Sequence, residues 1–230
     1  MDDRQITETN FSRTLLFLGD CNTRGADRME GNAYPEQLAA EKPHWRCINC
    51  GHTMSTVREG YHYFEVYSSE KPDAVCIQYG LVDSWLTFRY SPYVLYYPDN
   101  RWRKIGRKLV KKFKKWCKAL GLNSLLGTRN VVPAHEYKAT IEQMIQTVHP
   151  KPVILIETVP NEDKSRNPAI RQYNQVLAEL AQTHQNCTLV PLYDFFEKAG
   201  QRYYSDATHL SAQGHQEVAT RLKDILEGTL

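Results

Sequence analysis

Five short apolar runs, separated by segments with helical periodicity, constrain this chain more than any other feature. They are LLFLG (15–19), WRCIN (45–49), AVCIQYG (74–80), PVILIETV (152–159) and CTLVPL (187–192). Runs of this length with little polar alternation read as strands buried on both faces. Amphipathic stretches at 33–41, 55–69, 135–149, 167–184 and 211–228 lie between and after them. Parallel strands need crossover connections, so this alternation predicts a parallel sheet with helices on both faces. The expected fold class is α/β, a doubly wound five-stranded sheet in one domain over residues 1–230. A segment at about 91–127 interrupts the rhythm and reads as an insertion.

Composition sets the outer limits. A chain of 230 residues with 41% hydrophobic residues and 14 tyrosines can bury a substantial core, which excludes a disordered chain. No apolar run approaches the roughly 20 residues that span a bilayer. The opening MDDRQITETNFSR has neither the basic nor the apolar region of an export signal, so a cytoplasmic location is expected. The six cysteines then read as reduced thiols. The net charge of +3 conceals an asymmetry, because RWRKIGRKLVKKFKKWCK (101–118) holds ten Lys or Arg and no acid. The basicity is local.

In open α/β sheets chemistry collects beyond the carboxyl ends of the strands. Gly19-Asp20-Cys21, Asn49 to Thr56 and Gly80 to Asp83 follow the first three predicted strands, and Tyr204 to Leu210 precedes the last helix. Asp206 and His209 are spaced to aim a carboxylate and an imidazole the same way, as an oriented general base requires. Alone, the pair reads as a helix cap and a polar surface histidine. Cys21 reads either as a small core residue or as an attacking thiol.

The ordered blocks FLGDCNTRG, NCGHTMST, GLVD and SDATHLSAQGH resemble those of the SGNH, or GDSL-type, hydrolases, which read Gly-Asp-Ser, a glycine turn, Gly-x-Asn-Asp and Asp-x-x-His. The resemblance implies a flavodoxin-like three-layer fold and an acyl-ester hydrolase or acyltransferase without cofactor or metal. It places Cys21 at the nucleophile, His209 at the general base and Asp206 at its orienting carboxylate. Asp20, Gly80 and Asp83 fall at loop-holding positions. The N–H of Met54, or of nearby Gly51, takes the second oxyanion position. Val82 stands where the family has an asparagine donor, with Asn22 or Thr23 as replacements to consider. A thiol beside an imidazole favours a thiolate–imidazolium pair and acyl transfer through a thioester. The alternative is a catalytically silent fold that binds a glycan or a partner protein.

Other features are weighed beside this one. Cys47-Ile-Asn-Cys50, flanked by His44 and His52, lacks the second pair that structural zinc needs, so no metal is expected. Trp102, Ile105, Leu109, Phe113 and Trp116 form one apolar stripe on the basic segment. The stripe suits an anionic membrane interface over residues 101–120, packing on the body, or an acidic glycan or nucleic acid; no nucleic-acid module is present. An inserted basic helix of this kind resembles members of bacterial surface-polysaccharide biosynthesis, which implies an acylated saccharide or lipid-linked glycan as substrate and a peripheral membrane association. Asn22, Arg24 and Asn161 are candidate substrate contacts, Arg129 a further anion anchor, and His215 a locally packed residue.

Overall fold

The computed structural model describes residues 11–26 and 29–230. Most of the opening segment read for an export signal lies outside the described residues. The chain runs β1 (Arg13–Gly19), α1 (Cys21–Arg24), α2 (Tyr34–Glu41), β2 (Trp45–Gly51), α3 (Val57–Tyr67), β3 (Ala74–Gln78), β4 (Leu86–Phe88), α4 (Arg101–Ala119), α5 (Leu122–Leu126), β5 (Thr128–Asn130), α6 (Ala134–Val148), β6 (Val153–Ile156), α7 (Asn167–Thr183), β7 (Cys187–Val190), α8 (Tyr193–Ala199) and α9 (Ala212–Thr229). Five strands form one parallel sheet in the order β2-β1-β3-β6-β7. The expected α/β class and five-stranded parallel sheet are what the structure has.

β1 shows why its sequence is apolar throughout. Leu16 and Leu18 enter one core with Phe64, Tyr137, Ile141 and Leu177. Leu15 and Phe17 enter the opposite core with Tyr34, Leu38, Val218 and Leu222. Alternate residues of a strand face opposite sides, so a two-sided sheet demands a continuous apolar run. Burying each of these side chains is worth roughly 1.5–3 kcal/mol relative to leaving it exposed.

From β1 the chain first builds outward to β2, then returns to place β3 on the other flank of β1. The strand order therefore reverses between β1 and β3, and ligand crevices of open α/β sheets open at such a reversal. Cys21 follows β1 there, and Gly80 to Asp83 follow β3.

The insertion is larger than its sequence pattern. β4 and β5 pair antiparallel, from Leu86↔Asn130 to Phe88↔Thr128, and clamp its base. Strands of three residues show too little alternation to be read in advance. Between them α4 is capped by Asn100, whose Oδ1 accepts the Arg103 N–H at 2.8 Å.

Candidate active site

A one-turn helix presents Cys21. The Oδ1 of Asp20 accepts the Asn22 N–H at 3.0 Å and caps that turn. Gly25 closes it at φ 77°, in the left-handed region that suits glycine. Asp20 is buried, and the Cys21 side chain, 4% exposed, packs among Leu81, Ile170 and Tyr193.

The loop before α9 carries His209 and Asp206. His209 Nδ1 donates to Asp206 Oδ2 at 2.6 Å, while Asp206 Oδ1 accepts the N–H groups of Thr208 and His209 at 2.7 and 2.8 Å. One carboxylate thus fixes both the backbone and the ring, and proton exchange falls to Nε2. Asn22 laces this loop to the Cys21 turn. Its Nδ2 donates to the Thr208 carbonyl at 3.3 Å and its Oδ1 accepts the Leu210 N–H at 3.0 Å. Asn161 adds a third tie, donating from Nδ2 to Thr208 Oγ1 at 3.0 Å. Segments 186 residues apart meet at one rim.

The second and third blocks keep their backbone and change their donors. Met54 sits at φ 64°, a conformation that favours glycine, so the turn retains a glycine-like shape despite its side chain. No bond from its N–H to another described residue is present. Gly51 does not serve as the alternative oxyanion donor, because its N–H is committed to Asn49 Oδ1 at 2.8 Å. Asp83 accepts the N–H of Val57 at 2.9 Å and of Gly80 at 3.0 Å, which joins the start of α3 to the loop after β3. Val82 is buried and has no side-chain donor. Neither Asn22 nor Thr23 replaces that donor. Both ends of the Asn22 amide are engaged, and Thr23 Oγ1 is spent on Tyr34 at 2.8 Å and Gln78 at 3.2 Å.

Burial governs the electrostatics of this rim. It raises Asp20 to about 6, against the lowering pull of the Asn22 N–H and the His209 charge. It raises Asp83 to about 7, again mainly by desolvation. The Cys21 thiol is pushed well above its ordinary value, first by burial and then by the negative charge of Asp20. That shift works against the preformed thiolate–imidazolium pair expected from the sequence. Asp206 behaves oppositely: burial works against its ionisation, but hydrogen bonds from His209 and Thr208 win and hold it at about 2.

The remaining candidates are placed as follows. Asn22 and Asn161, read as substrate contacts, are buried structural ties; Asn161 also accepts the Asp163 N–H at 2.9 Å. Arg24 pairs with Glu30 at 2.5 Å and approaches His52 Nδ1 at 3.5 Å. Arg129 donates to the Ser91 carbonyl at 3.2 Å. His52 is stacked between Tyr63 and Tyr97, each 4.4 Å away, and burial with the Arg24 charge lowers it to about 4. Cys47 and Cys50 lie within β2. No group of three or more potential metal ligands occurs among the described residues. His215 is buried against Tyr34, and burial lowers it to about 4.

Sequence reasoning missed Glu59. Fully buried, it accepts the Thr56 N–H and hydroxyl at 2.9 and 2.6 Å, the Tyr93 hydroxyl at 3.0 Å and the Tyr96 N–H at 2.7 Å. The signal was available, since Thr56-x-x-Glu59 is a capping box before an apolar helix face. Its partners in the insertion were not foreseeable.

These features define an α/β protein with a His–Asp pair and a cysteine gathered at the topological switch point of its sheet. The sequence profile of the GDSL-like lipase/acylhydrolase family matches residues 17–217, and the chain belongs to that family. The fold is similar to LAE5, an α/β hydrolase from the metagenome of Lake Arreo, Spain, at 20% identity and TM-score 0.65, covering 96% of this chain and 97% of that one. It is similar to a catalytic mutant of Axe2, an acetylxylan esterase from Geobacillus stearothermophilus, at 22% identity and TM-score 0.62, covering 93% of both. The lipase/acylhydrolase from Enterococcus faecalis matches at 17% identity and TM-score 0.67, covering 94% of this chain and 96% of that one. No curated protein matches the chain.

Proposed function

We propose that the protein cleaves or transfers the acyl group of a saccharide ester through Cys21, His209 and Asp206. The observation that carries this reading is the double tie of Asn22, which joins the turn bearing Cys21 to the loop in which Asp206 orients His209. A thiol whose ionisation burial opposes changes the order of events. His209 Nε2 takes the proton as sulfur attacks the carbonyl carbon, so deprotonation accompanies bond formation. The N–H groups of Cys21 and Met54 receive the developing oxyanion. Collapse breaks the C–O bond, and the leaving alkoxide takes the proton from His209. Water or an acceptor hydroxyl then gives its proton to His209, attacks the thioester and restores the thiol. Axe2, a structural neighbour, is a saccharide esterase, which agrees in chemical class with the proposed substrate.

The test is hydrolysis of p-nitrophenyl acetate together with intact-mass detection of an acetyl adduct. Adduct on the native chain, and loss of both adduct and turnover in Cys21→Ala, support the mechanism. Unchanged turnover in that variant overturns it. The buried sulfur and the apolar Val82 favour one second reading, a silent scaffold that binds a glycan. Complete absence of turnover and adduct would favour that reading instead.

The same proposal includes peripheral membrane docking through α4. Trp102, Leu109 and Trp116 are 82%, 63% and 59% exposed, and Ile105 and Phe113 lie on the same stripe. Among the described residues no helix is long and apolar enough to cross a membrane. An exposed apolar stripe flanked by lysines suits the interface of an anionic bilayer. Trp102→Glu with Leu109→Glu and Trp116→Glu is expected to abolish cosedimentation with phosphatidylglycerol vesicles; equal pelleting by the native and variant chains removes docking from the proposal.

A further inference from the structure

A second face of α4 borders a cavity of about 540 Å³ that the acyl-transfer reading leaves unused. Lys104, Lys108, Lys111 and Lys114 recur at helical spacing along it. Trp85, Pro92, Val94 and Val110 supply apolar walls, and Met54 places the cavity against the oxyanion side of the rim. The size is that of a site for a small amphiphilic ligand.

The charges are unequal in their commitments. Lys104 pairs with Asp99 at 3.0 Å. Arg107 also faces the cavity but is spent on Asp99 at 2.6 Å and on the Leu95 and Tyr96 carbonyls at 2.9 and 3.2 Å. Lys108, Lys111 and Lys114 have no carboxylate within ion-pair distance among the described residues. Half-buried Lys114 is held below the usual lysine range by burial alone. A cluster of like charges beside apolar walls is unfavourable. A ligand that brings both an anion and a hydrocarbon answers both features together.

The opposite wall is prebuilt. Glu59 holds the 93–96 segment through the Tyr93 hydroxyl and the Tyr96 N–H. The Arg58 guanidinium stacks 4.7 Å from the Tyr93 ring, and Arg58 pairs with Glu136 at 2.5 Å. The cavity therefore does not need to be organised by its occupant.

We propose that this cavity binds the phosphate-bearing alkyl portion of the substrate, with the phosphate on Lys108, Lys111 and Lys114 and the chain against Trp85, Val94 and Val110. This assignment rests on the acyl-transfer reading for its connection to Cys21, and it narrows the substrate to a phosphate-linked amphiphile. Met54 lies between the two sites, so the ester reaches the rim while the anion stays under α4.

Binding is measured on full-length Cys21→Ala, which separates recognition from chemistry. Dodecyl phosphate below its micelle concentration is compared with dodecyl maltoside and with inorganic phosphate by calorimetry. Saturable dodecyl phosphate binding at least tenfold tighter than either comparator is expected. A further loss of tenfold or more is expected in Lys108→Gln/Lys111→Gln/Lys114→Gln, with p-nitrophenyl acetate turnover unchanged when Cys21 is restored. Equal binding of dodecyl maltoside overturns the anion assignment, and equal binding of inorganic phosphate overturns the alkyl assignment. Full binding by a folded glutamine variant overturns the location. Should that variant not fold, Lys108→Gln/Lys111→Gln, which changes only exposed residues, decides by the same criterion with a threefold or greater loss. Dodecyl phosphate binding without any esterase activity would sink the acyl-transfer reading and leave this site; esterase activity without selective binding would do the reverse.

Discussion

The two halves of the rim have kept different things. On the side of Cys21 and His209 the side chains themselves are organised: Asp206 orients the ring, Asp20 caps the turn that bears Cys21, and Asn22 bonds across to the histidine loop. On the side of Met54 and Val82 the backbone is organised while a donating side chain is missing. Asp83 still binds the N–H groups of Val57 and Gly80, and Met54 still occupies left-handed space. The hydrogen bonds that hold a loop stabilise the fold whether or not chemistry occurs, so they can persist after a transition-state donor is gone. The comparison teaches that loop architecture and the side-chain donor are separable at this rim.

The largest expected effect breaks the organised half. Cys21→Ala or His209→Ala should lower kcat/KM for a short ester by about 10³ or more, because triad members act as a unit. Retention of activity in either would show that another group attacks. The next effect sharpens the depleted half. Val82→Asn restores an amide at the family's donor position and should raise kcat by roughly 10–10², approaching what one oxyanion donor is worth. A fall in kcat with the fold intact would mean that position 82 does not face the reacting oxygen.

The smallest effect concerns stability. Asp83 and Asp20 have folded-state values raised to about 7 and about 6. A carboxyl raised on folding contributes stability that is complete below its unfolded value and is lost as pH rises through the folded one. Each carboxyl should therefore withdraw stability between about pH 4 and its folded value, with a slope of up to about 1.4 kcal/mol per pH unit, while His52 and His215, lowered to about 4, add stability between about pH 4 and 6.5 and offset that loss in the native chain. Asp83→Asn should flatten its share. Urea midpoints at pH 4.5, 6 and 7.5 measure this, and parallel profiles for both chains would refute the Asp83 contribution.

Much of the fold was readable because the sheet is buried on both faces. The five runs lie on five strands, and the helical stretches match their helices within two residues at each end. The order of the blocks was readable for the same reason, since loops after parallel strands must share one edge. Protonation was not. Thiolate formation depends on how deeply Cys21 sinks among Leu81, Ile170 and Tyr193 and on its distance from Asp20, which are tertiary quantities. The roles of Gly51 and Asn161 were obscured likewise, because the sequence does not reveal which hydrogen-bonding groups are already occupied. The three-residue strands at the base of the insertion were too short to show a period.

The buried carboxylate at position 59 also has a mechanical meaning. It grips the turn two residues beyond Met54 and, through two tyrosines, the strap at 93–96. The Arg58 guanidinium over the Tyr93 ring and the His52 ring against Tyr97 add further ties between the same two segments. The strap and the turn that follows Met54 thus share one buried carboxyl as a common footing.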